Sequence, residues 1–394
     1  MLILSVLFSS MVMAQKPVLA DLEFLKKAGI PILEKDELNG LGYAEITPAM
    51  ELELSRVAHE AGKCGGFESL ESQENPRAEA LEAFAQLNQL NLKNWAARLT
   101  RGAPPSLSPR PEIQSALRNL EASRLRAWVE WLSSYPSRYN KLKDPNQHVV
   151  ALVQKLEELT AQGPHRARVE KIDHKSTRQQ SIRLTIPGTK RPDEVVVLGG
   201  HLDSISGFFG TGEAPGADDN ASGSSNLLEA LRVLLQQAPP ERTIEFYWYA
   251  GEESGLLGSA EIAQQARDQG RKIIGVLQLD MTLFPGDGPF VIGNITDFTT
   301  TWLRDYLVAM NQTYLNIQLV DDRCGYACSD HASWYRKGFA TLMPFEARSK
   351  TMNRLIHTPD DVISEKLNFD HSLVFSKIAL VFAMDLGNST YSGE

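Results

Sequence analysis

The sequence predicts a mixed α/β fold, with a mainly parallel central sheet flanked by helices and a small separate unit ahead of it. Three observations carry this reading. Downstream of Pro109, short apolar runs rich in Val, Ile and aromatic residues alternate with amphipathic stretches of helical period. That is the pattern of strands covered on both faces and joined by helices. Upstream of this region stands a break, Gly102-Ala103-Pro104-Pro105-Ser106-Leu107-Ser108-Pro109, whose prolines mark a linker. The composition is that of a globular chain, with 42% hydrophobic and 23% charged residues among 394, which excludes collagen-like, coiled-coil and wholly disordered classes.

In chain order, Met1–Ala14 (MLILSVLFSSMVMA) is apolar and uncharged and ends in small residues at the cleavage-compatible positions. It reads as a signal peptide, too short for a membrane span. The mature protein is therefore expected outside the cytoplasm, secreted through the periplasm, with no membrane attachment. Residues 15–105 form a separate unit with a helix expected over Glu79–Leu99 and no cluster of catalytic residue types. In an exported protein such a unit suggests a removable propeptide; the alternative is a permanent accessory domain. Its one cysteine is Cys64.

Residues 106–394 read as one α/β domain. Helices are expected at Ile113–Tyr135, Asn146–Thr160, Ser222–Gln237, Gly258–Gln269, Asp297–Asn311 and Phe369–Leu386. Strands are expected at Ser181–Ile186, Glu194–Leu198, Thr243–Tyr249, Ile273–Leu279, Phe290–Ile292 and Phe339–Pro344. The net charge of −9 argues against a nucleic-acid backbone or an anionic membrane as partner. No feature predicts an oligomer, so a monomer is the expectation.

Ligands of open α/β sheets bind beyond the carboxyl ends of strands. The strand over 194–198 leads into Gly199-Gly200-His201-Leu202-Asp203. The strand over 243–249 leads into Ala250-Gly251-Glu252-Glu253, and that over 273–279 into Asp280; Phe345-Glu346 follows the last strand. Between the first two lies Pro215-Gly216-Ala217-Asp218-Asp219-Asn220, opening a helix, and Ile356-His357-Thr358-Pro359-Asp360 comes later. Singly, each is weak. A His after a strand is usually structural, Asp219 and Asn220 are good helix N-caps, and Glu-Glu is usually a solvated face. Together they form a metal-ligand inventory on one rim. Nitrogen and oxygen donors without thiolate suit zinc, cobalt or manganese. A pair of ions needs a bridging carboxylate, and Asp203 can accept the other ring N–H of His201.

Six blocks then carry a resemblance: GGHLDS (199–204), APGADDNASG (214–223), YAGEESGLLGS (249–259), LQLDM (277–281), CGYACSDHASW (324–334) and IHTPDD (356–361). In this order they resemble the bacterial leucyl aminopeptidases, exported di-zinc metallopeptidases known from marine vibrios. The resemblance implies a zinc-exopeptidase fold and two Zn2+ per catalytic domain. His201 and Asp280 would bind one zinc, Glu253 and His357 the other, and Asp218 would bridge them. The bond from Asp218 to Asp219 would be cis. Glu252 would be the general base, Asp203 would orient His201, and Tyr326 would donate to the oxyanion. Cys324 and Cys328 would form a disulfide around Tyr326; a thiolate–metal site with His331 is the other reading of that pair.

Met281, Met343 and Phe345 stand at pocket positions and imply a preference for leucine or another large apolar residue at a free peptide N-terminus. Ser349 and Met352 stand where the vibrio-type pattern has aromatic residues, and Ser206–Glu213 also differs, so a softer pocket with a broader range is expected. Rival readings are a glutaminyl cyclase on a similar fold, a carboxypeptidase, which needs a basic cluster beyond Arg323, Arg348 and Arg354, and a silent binding domain, which would have lost ligands.

Overall fold

The computed structural model describes residues 15–61, 66–70, 75–99, 107–161, 164–207 and 212–389. The expected signal peptide Met1–Ala14, Cys64, residues 100–106 of the expected linker and Phe208-Phe209 lie outside them. Among the described residues no helix is long and apolar enough to cross a membrane.

The N-terminal unit contains β1 (Lys16–Asp21), α1 (Leu22–Lys27), β2 (Glu34–Asp36), β3 (Leu41–Ile46), α2 (Pro48–Glu60), β4 (Phe67–Ser69) and α3 (Pro76–Leu99). The helix expected over 79–99 is α3. The antiparallel sheet, ordered β2-β3-β1-β4, was not legible, because two of its strands are only three residues long. Asp21 caps α1, its Oδ1 accepting from the amides of Glu23 (2.7 Å) and Phe24 (3.3 Å). Val18, Ala20, Phe24, Leu25, Ala44, Leu54 and Phe67 form part of the unit's own core.

The larger part runs α4 (Pro111–Leu117), α5 (Ala122–Ser133), α6 (Gln147–Thr160), β5 (Arg168–Ile172), β6 (Ser181–Ile186), β7 (Arg191–His201), α7 (Gly223–Leu234), β8 (Arg242–Tyr249), α8 (Leu257–Asp268), β9 (Lys272–Gln278), β10 (Val291–Ile295), α9 (Thr301–Met310), β11 (Gln318–Asp322), α10 (His331–Arg336), β12 (Thr341–Leu342), β13 (Pro344–Phe345) and α11 (Phe369–Asn388). The main sheet is ordered β12-β9-β7-β8-β6-β5. Its first three pairings are parallel and its last two antiparallel, so the expected mixed α/β fold is present. A smaller sheet, β11-β10-β13, lies beside it.

The apolar runs are explained by burial on both faces. On one face Val196, Leu198, Ile244, Phe246 and Trp248 join the core formed with α5, α7 and α11. On the other, Val195, Val197, Tyr247, Tyr249 and Val276 pack with Ile262 and Ala263 of α8 and Trp334 of α10. Neighbouring residues thus serve opposite faces, as strand geometry requires.

Two expected elements are divided. The single helix over 113–135 is α4 and α5, broken at Arg118–Glu121. Leu120 turns into the core there, and the Glu121 amide donates to the buried Glu229 carboxylate at 2.8 Å. The strand over 339–344 is β12 and β13, which serve different sheets.

Candidate metal centre

Chain order and strand order together place the site. From β7 the chain moves to β8 on one side, then returns to β9 on the other. This makes the carboxyl end of β7 a topological switch point, where adjacent loops separate and leave a crevice. His201 is the last residue of β7. Glu252 and Glu253 follow β8 on a turn opened by Gly251 at φ 65°, a left-handed conformation that glycine adopts without steric cost. Asp280 follows β9. The turn before α7 presents Asp218 and Asp219, and His357, itself at φ 57°, comes from the loop ahead of α11.

Two sets of side chains converge. Nitrogen and oxygen atoms of His201, Asp219 and Asp280 lie within 4.8 Å of one another, as do those of Asp219, Glu253 and His357. His201 Nε2 is 3.1 Å from Asp219 Oδ1 and 3.2 Å from Asp280 Oδ1. His357 Nε2 is 2.9 Å from both Asp219 Oδ2 and Glu253 Oε2. Asp219 therefore belongs to both sets, one oxygen toward each histidine.

This corrects the expectation for Asp218. Its Oδ1 accepts from the amides of Thr282 (3.1 Å) and Leu283 (2.9 Å), and its Oδ2 from Asn353 Nδ2 at 3.0 Å. Asp218 ties the turn to the backbone behind the site, whereas Asp219, in extended backbone at φ −106° and ψ 96°, directs its side chain to the rim. The backbone leaves the helical range at Asp219 and Asn220 but not at Asp218, so the two neighbouring aspartates stand in different conformations and meet different partners. The cis peptide bond likewise joins Asp219 to Asn220, not Asp218 to Asp219.

The electrostatics match a cation site. Burial alone would depress the His201 imidazolium, but Asp280 and Glu252 outweigh it, and its pKa stands well above the ordinary value. Burial would raise the Asp219 carboxyl, yet His201 and His357 hold it below the usual range. Burial pushes Glu253 up to about 7 and Glu252 well above its usual value. Glu253 Oε1 is buried with no hydrogen-bond partner among the described residues, and Oε2 faces His357 Nε2. Buried carboxylate oxygens in this state are costly unless a cation meets them. Two imidazoles and three carboxylates without thiolate fit zinc.

Supporting groups surround this set. Asp203 lies beside His201, its carbonyl 3.2 Å and its Oδ1 3.6 Å from His201 Nδ1. Its carboxylate also accepts the amides of Glu252 (3.0 Å) and Glu253 (3.3 Å). Ser329 Oγ donates to Asp280 Oδ2 at 2.6 Å. Asp361 accepts the amides of Asp218 and Asp219 at 3.1 and 3.0 Å. Sequence reasoning assigned no role to Ser329, Asn353 or Asp361, although Ser329 and Asp361 lie inside the quoted blocks.

Met281, Met343 and Phe345 lie in one buried apolar cluster with Tyr326, Cys324, Cys328, Met352, Ile295 and Ile356. Cys324 and Cys328 are disulfide-bonded, and Asp297 accepts the amides of Cys324 (3.1 Å) and Gly325 (2.7 Å), holding the loop that carries Tyr326. His331 is buried on α10 without joining the metal-ligand sets.

The N-terminal unit reaches this site. Lys16 Nζ donates to the carbonyl of Ser254 at 3.0 Å and the Ser69 amide to that of Gly255 at 3.0 Å, both on the turn that carries Glu252 and Glu253. Phe24 packs edge-on against Tyr326 with ring centroids 6.0 Å apart. Glu68 pairs with the buried Arg336.

Residues 181–383 match the model of Peptidase family M28. Leucine aminopeptidase 1 of Arthroderma otae is 39% identical over 297 residues, covering 72% of this chain and 79% of that protein. Leucine aminopeptidase 1 of Arthroderma gypseum shows the same identity and coverage. In structure, the chain is similar to the Legionella pneumophila LapA aminopeptidase, with TM-score 0.79, 25% identity and coverage of 96% of this chain and 99% of that one. That coverage includes the N-terminal unit. These relatives and the family match together support a hydrolase of the aminopeptidase class. By its matched segment and these relatives, the chain belongs to peptidase family M28.

Proposed function

We propose that this M28 peptidase is an exported two-zinc aminopeptidase that removes leucine or another large apolar residue from the free N-terminus of peptides. The observation that carries this is Asp219, whose two oxygens face His201 and His357 and so link two three-residue ligand sets. His201, Asp219 and Asp280 would hold one ion, and Asp219, Glu253 and His357 the other. Two zinc ions would polarise the scissile carbonyl, lower the pKa of the attacking water and offer a ligand position to the substrate's free amine.

The chain's own residues then have separate tasks. Glu252, adjacent to a ligand and raised by burial, takes a proton from the attacking water and returns it to the leaving amine. Asp203 orients His201 and, through the amides of residues 252 and 253, the base and its neighbour. Tyr326 donates its O–H to the developing oxyanion. Met281, Met343 and Phe345 receive the apolar side chain, and the flexible thioethers broaden the range accepted.

Export rests on the apolar leader Met1–Ala14 and on the Cys324–Cys328 disulfide, which suits an oxidising compartment. Residues 15–105 act as a propeptide. Phe24 against Tyr326 and the grip on the Ser254–Gly255 turn supply a means of restraining the site. Cleavage in the linker should raise the rate; a full-length chain as active as the processed one rejects restraint.

The deciding experiment is hydrolysis of leucine p-nitroanilide by processed protein before and after chelator dialysis. Loss of rate restored by zinc is expected, with no turnover of N-acetylated leucine p-nitroanilide. A folded, zinc-loaded and processed protein that stays silent sinks the proposal.

A further inference from the structure

We propose that Arg138 and Gln179 are a positioning pair that sets the spacing of the ligand-bearing segments at the switch point, an inference that rests on the two-zinc reading above. Both residues precede the segment that matches the family model, and both are wholly buried. Arg138 Nε donates to the carbonyl of Leu202 at 2.9 Å. Its Nη1 donates to the carbonyls of Leu132 (3.0 Å) and Pro215 (2.5 Å), and its Nη2 to that of Gly216 at 2.9 Å. Leu202 separates His201 from Asp203, and Pro215-Gly216 opens the turn that presents Asp219. One planar group therefore fixes the distance between the segments carrying two of the ligands.

Gln179 extends the tie to a third segment. Its Nε2 donates to the carbonyl of Arg138 at 2.9 Å, and its Oε1 accepts the amide of Gly251 at 3.0 Å. Gly251 immediately precedes Glu252 and Glu253. The strand-end loops are remote from one another in sequence, and this pair joins all three.

A packing role alone does not call for a guanidinium here. Burying a charge is costly, and the four acceptors of Arg138 are neutral carbonyls. What the guanidinium offers is a rigid fork of donors that a lysine ammonium, a point charge on a flexible stem, does not reproduce. Space is also committed to it: a Cβ on Gly216 would stand 2.9 Å from Arg138 Nη2 and 2.3 Å from the Asp219 carbonyl.

The test uses the full chain stripped of metal, as wild type, Arg138→Lys and Gln179→Met. Zinc affinity is measured by competition with a chromophoric chelator, alongside the melting temperature with and without zinc. Loss of an outer partner of a metal ligand typically weakens binding about 10–100-fold, and a loss in that range is expected for both variants, with a smaller zinc-induced rise in melting temperature. Wild-type zinc affinity in variants that melt lower, with and without zinc alike, would assign the pair to folding alone and overturn the proposal. If Arg138→Lys does not fold, Gln179→Met decides by the same readouts. A wild type that takes up no zinc overturns the two-zinc reading itself, an outcome separable from a variant that fails where wild type succeeds.

Discussion

Exchanging Asp219 and Asp218, one at a time, for asparagine separates two neighbouring carboxylates with different work. Asp219 offers one oxygen to each ligand set, so D219N removes a charged ligand from both. Apparent zinc binding by four-ligand structural sites is worth roughly 10–16 kcal/mol, or about 3 kcal/mol per ligand. Each ion should therefore bind about a hundredfold more weakly in D219N. In D218N the amide oxygen can still accept from Thr282 and Leu283, but the amide nitrogen then faces Asn353 Nδ2, a donor that the carboxylate met at 3.0 Å. A buried hydrogen bond lost this way costs about 1–3 kcal/mol of stability, while zinc affinity should change less than about tenfold, the lower edge for outer partners. The assay is chelator competition on metal-free protein, paired with denaturant unfolding. If D218N loses zinc as severely as D219N, or D219N keeps wild-type affinity for both ions, the assignment of the shared carboxylate is wrong.

Three further predictions follow from other parts of the molecule. E252Q should lower kcat by about 10²–10⁴ with zinc content unchanged; loss of zinc together with rate would make Glu252 a ligand and not the base. E68A leaves the Arg336 guanidinium buried without its ion partner, a change worth about 3–5 kcal/mol; limited proteolysis should release the N-terminal unit faster, and an unaltered rate would mean that this pair does not anchor it. Burial lowers the pKa of His148 to about 3 and of His371 to about 4, below the ordinary value near 6.5 that the unfolded chain shows. Between these values the unfolded state binds more protons, so stability is full above pH ~6.5 and falls as pH drops toward 4, by about 1.4 kcal/mol per pH unit for each histidine; an H148N variant whose unfolding free energy keeps the wild-type slope between pH 6 and 4.5 contradicts this.

How much could be read in advance depended on how locally each feature is determined. Strands β7 to β9 were legible because burial on both faces leaves a near-continuous apolar run, and β6 because its apolar residues alternate with polar ones, both visible in a single window of sequence. Strands β2, β4 and β5 were not, being short or half exposed. His201, Glu252, Glu253 and Asp280 stood out by the rule that ligands gather beyond strand ends, His357 joined the same inventory from a later loop, and Tyr326 came with the family blocks. The break between α4 and α5 was missed because its cause, the Glu229 carboxylate that receives the Glu121 amide, lies more than a hundred residues downstream.

By itself the sequence determined the residue types, the strand–helix alternation and the gathering of acids and histidines at strand ends, since composition and periodicity are local properties of the chain. Only the tertiary structure decided which aspartate of the pair faces the rim. That choice turns on the amides of Thr282 and Leu283 and on Asn353, which claim the Asp218 carboxylate and leave Asp219 to the histidines. It also decided that Arg138 and Gln179 tie three loops together, and that Phe24 lies against Tyr326. These are hydrogen bonds and contacts between distant segments, and such partners exist only once packing has brought the segments into register.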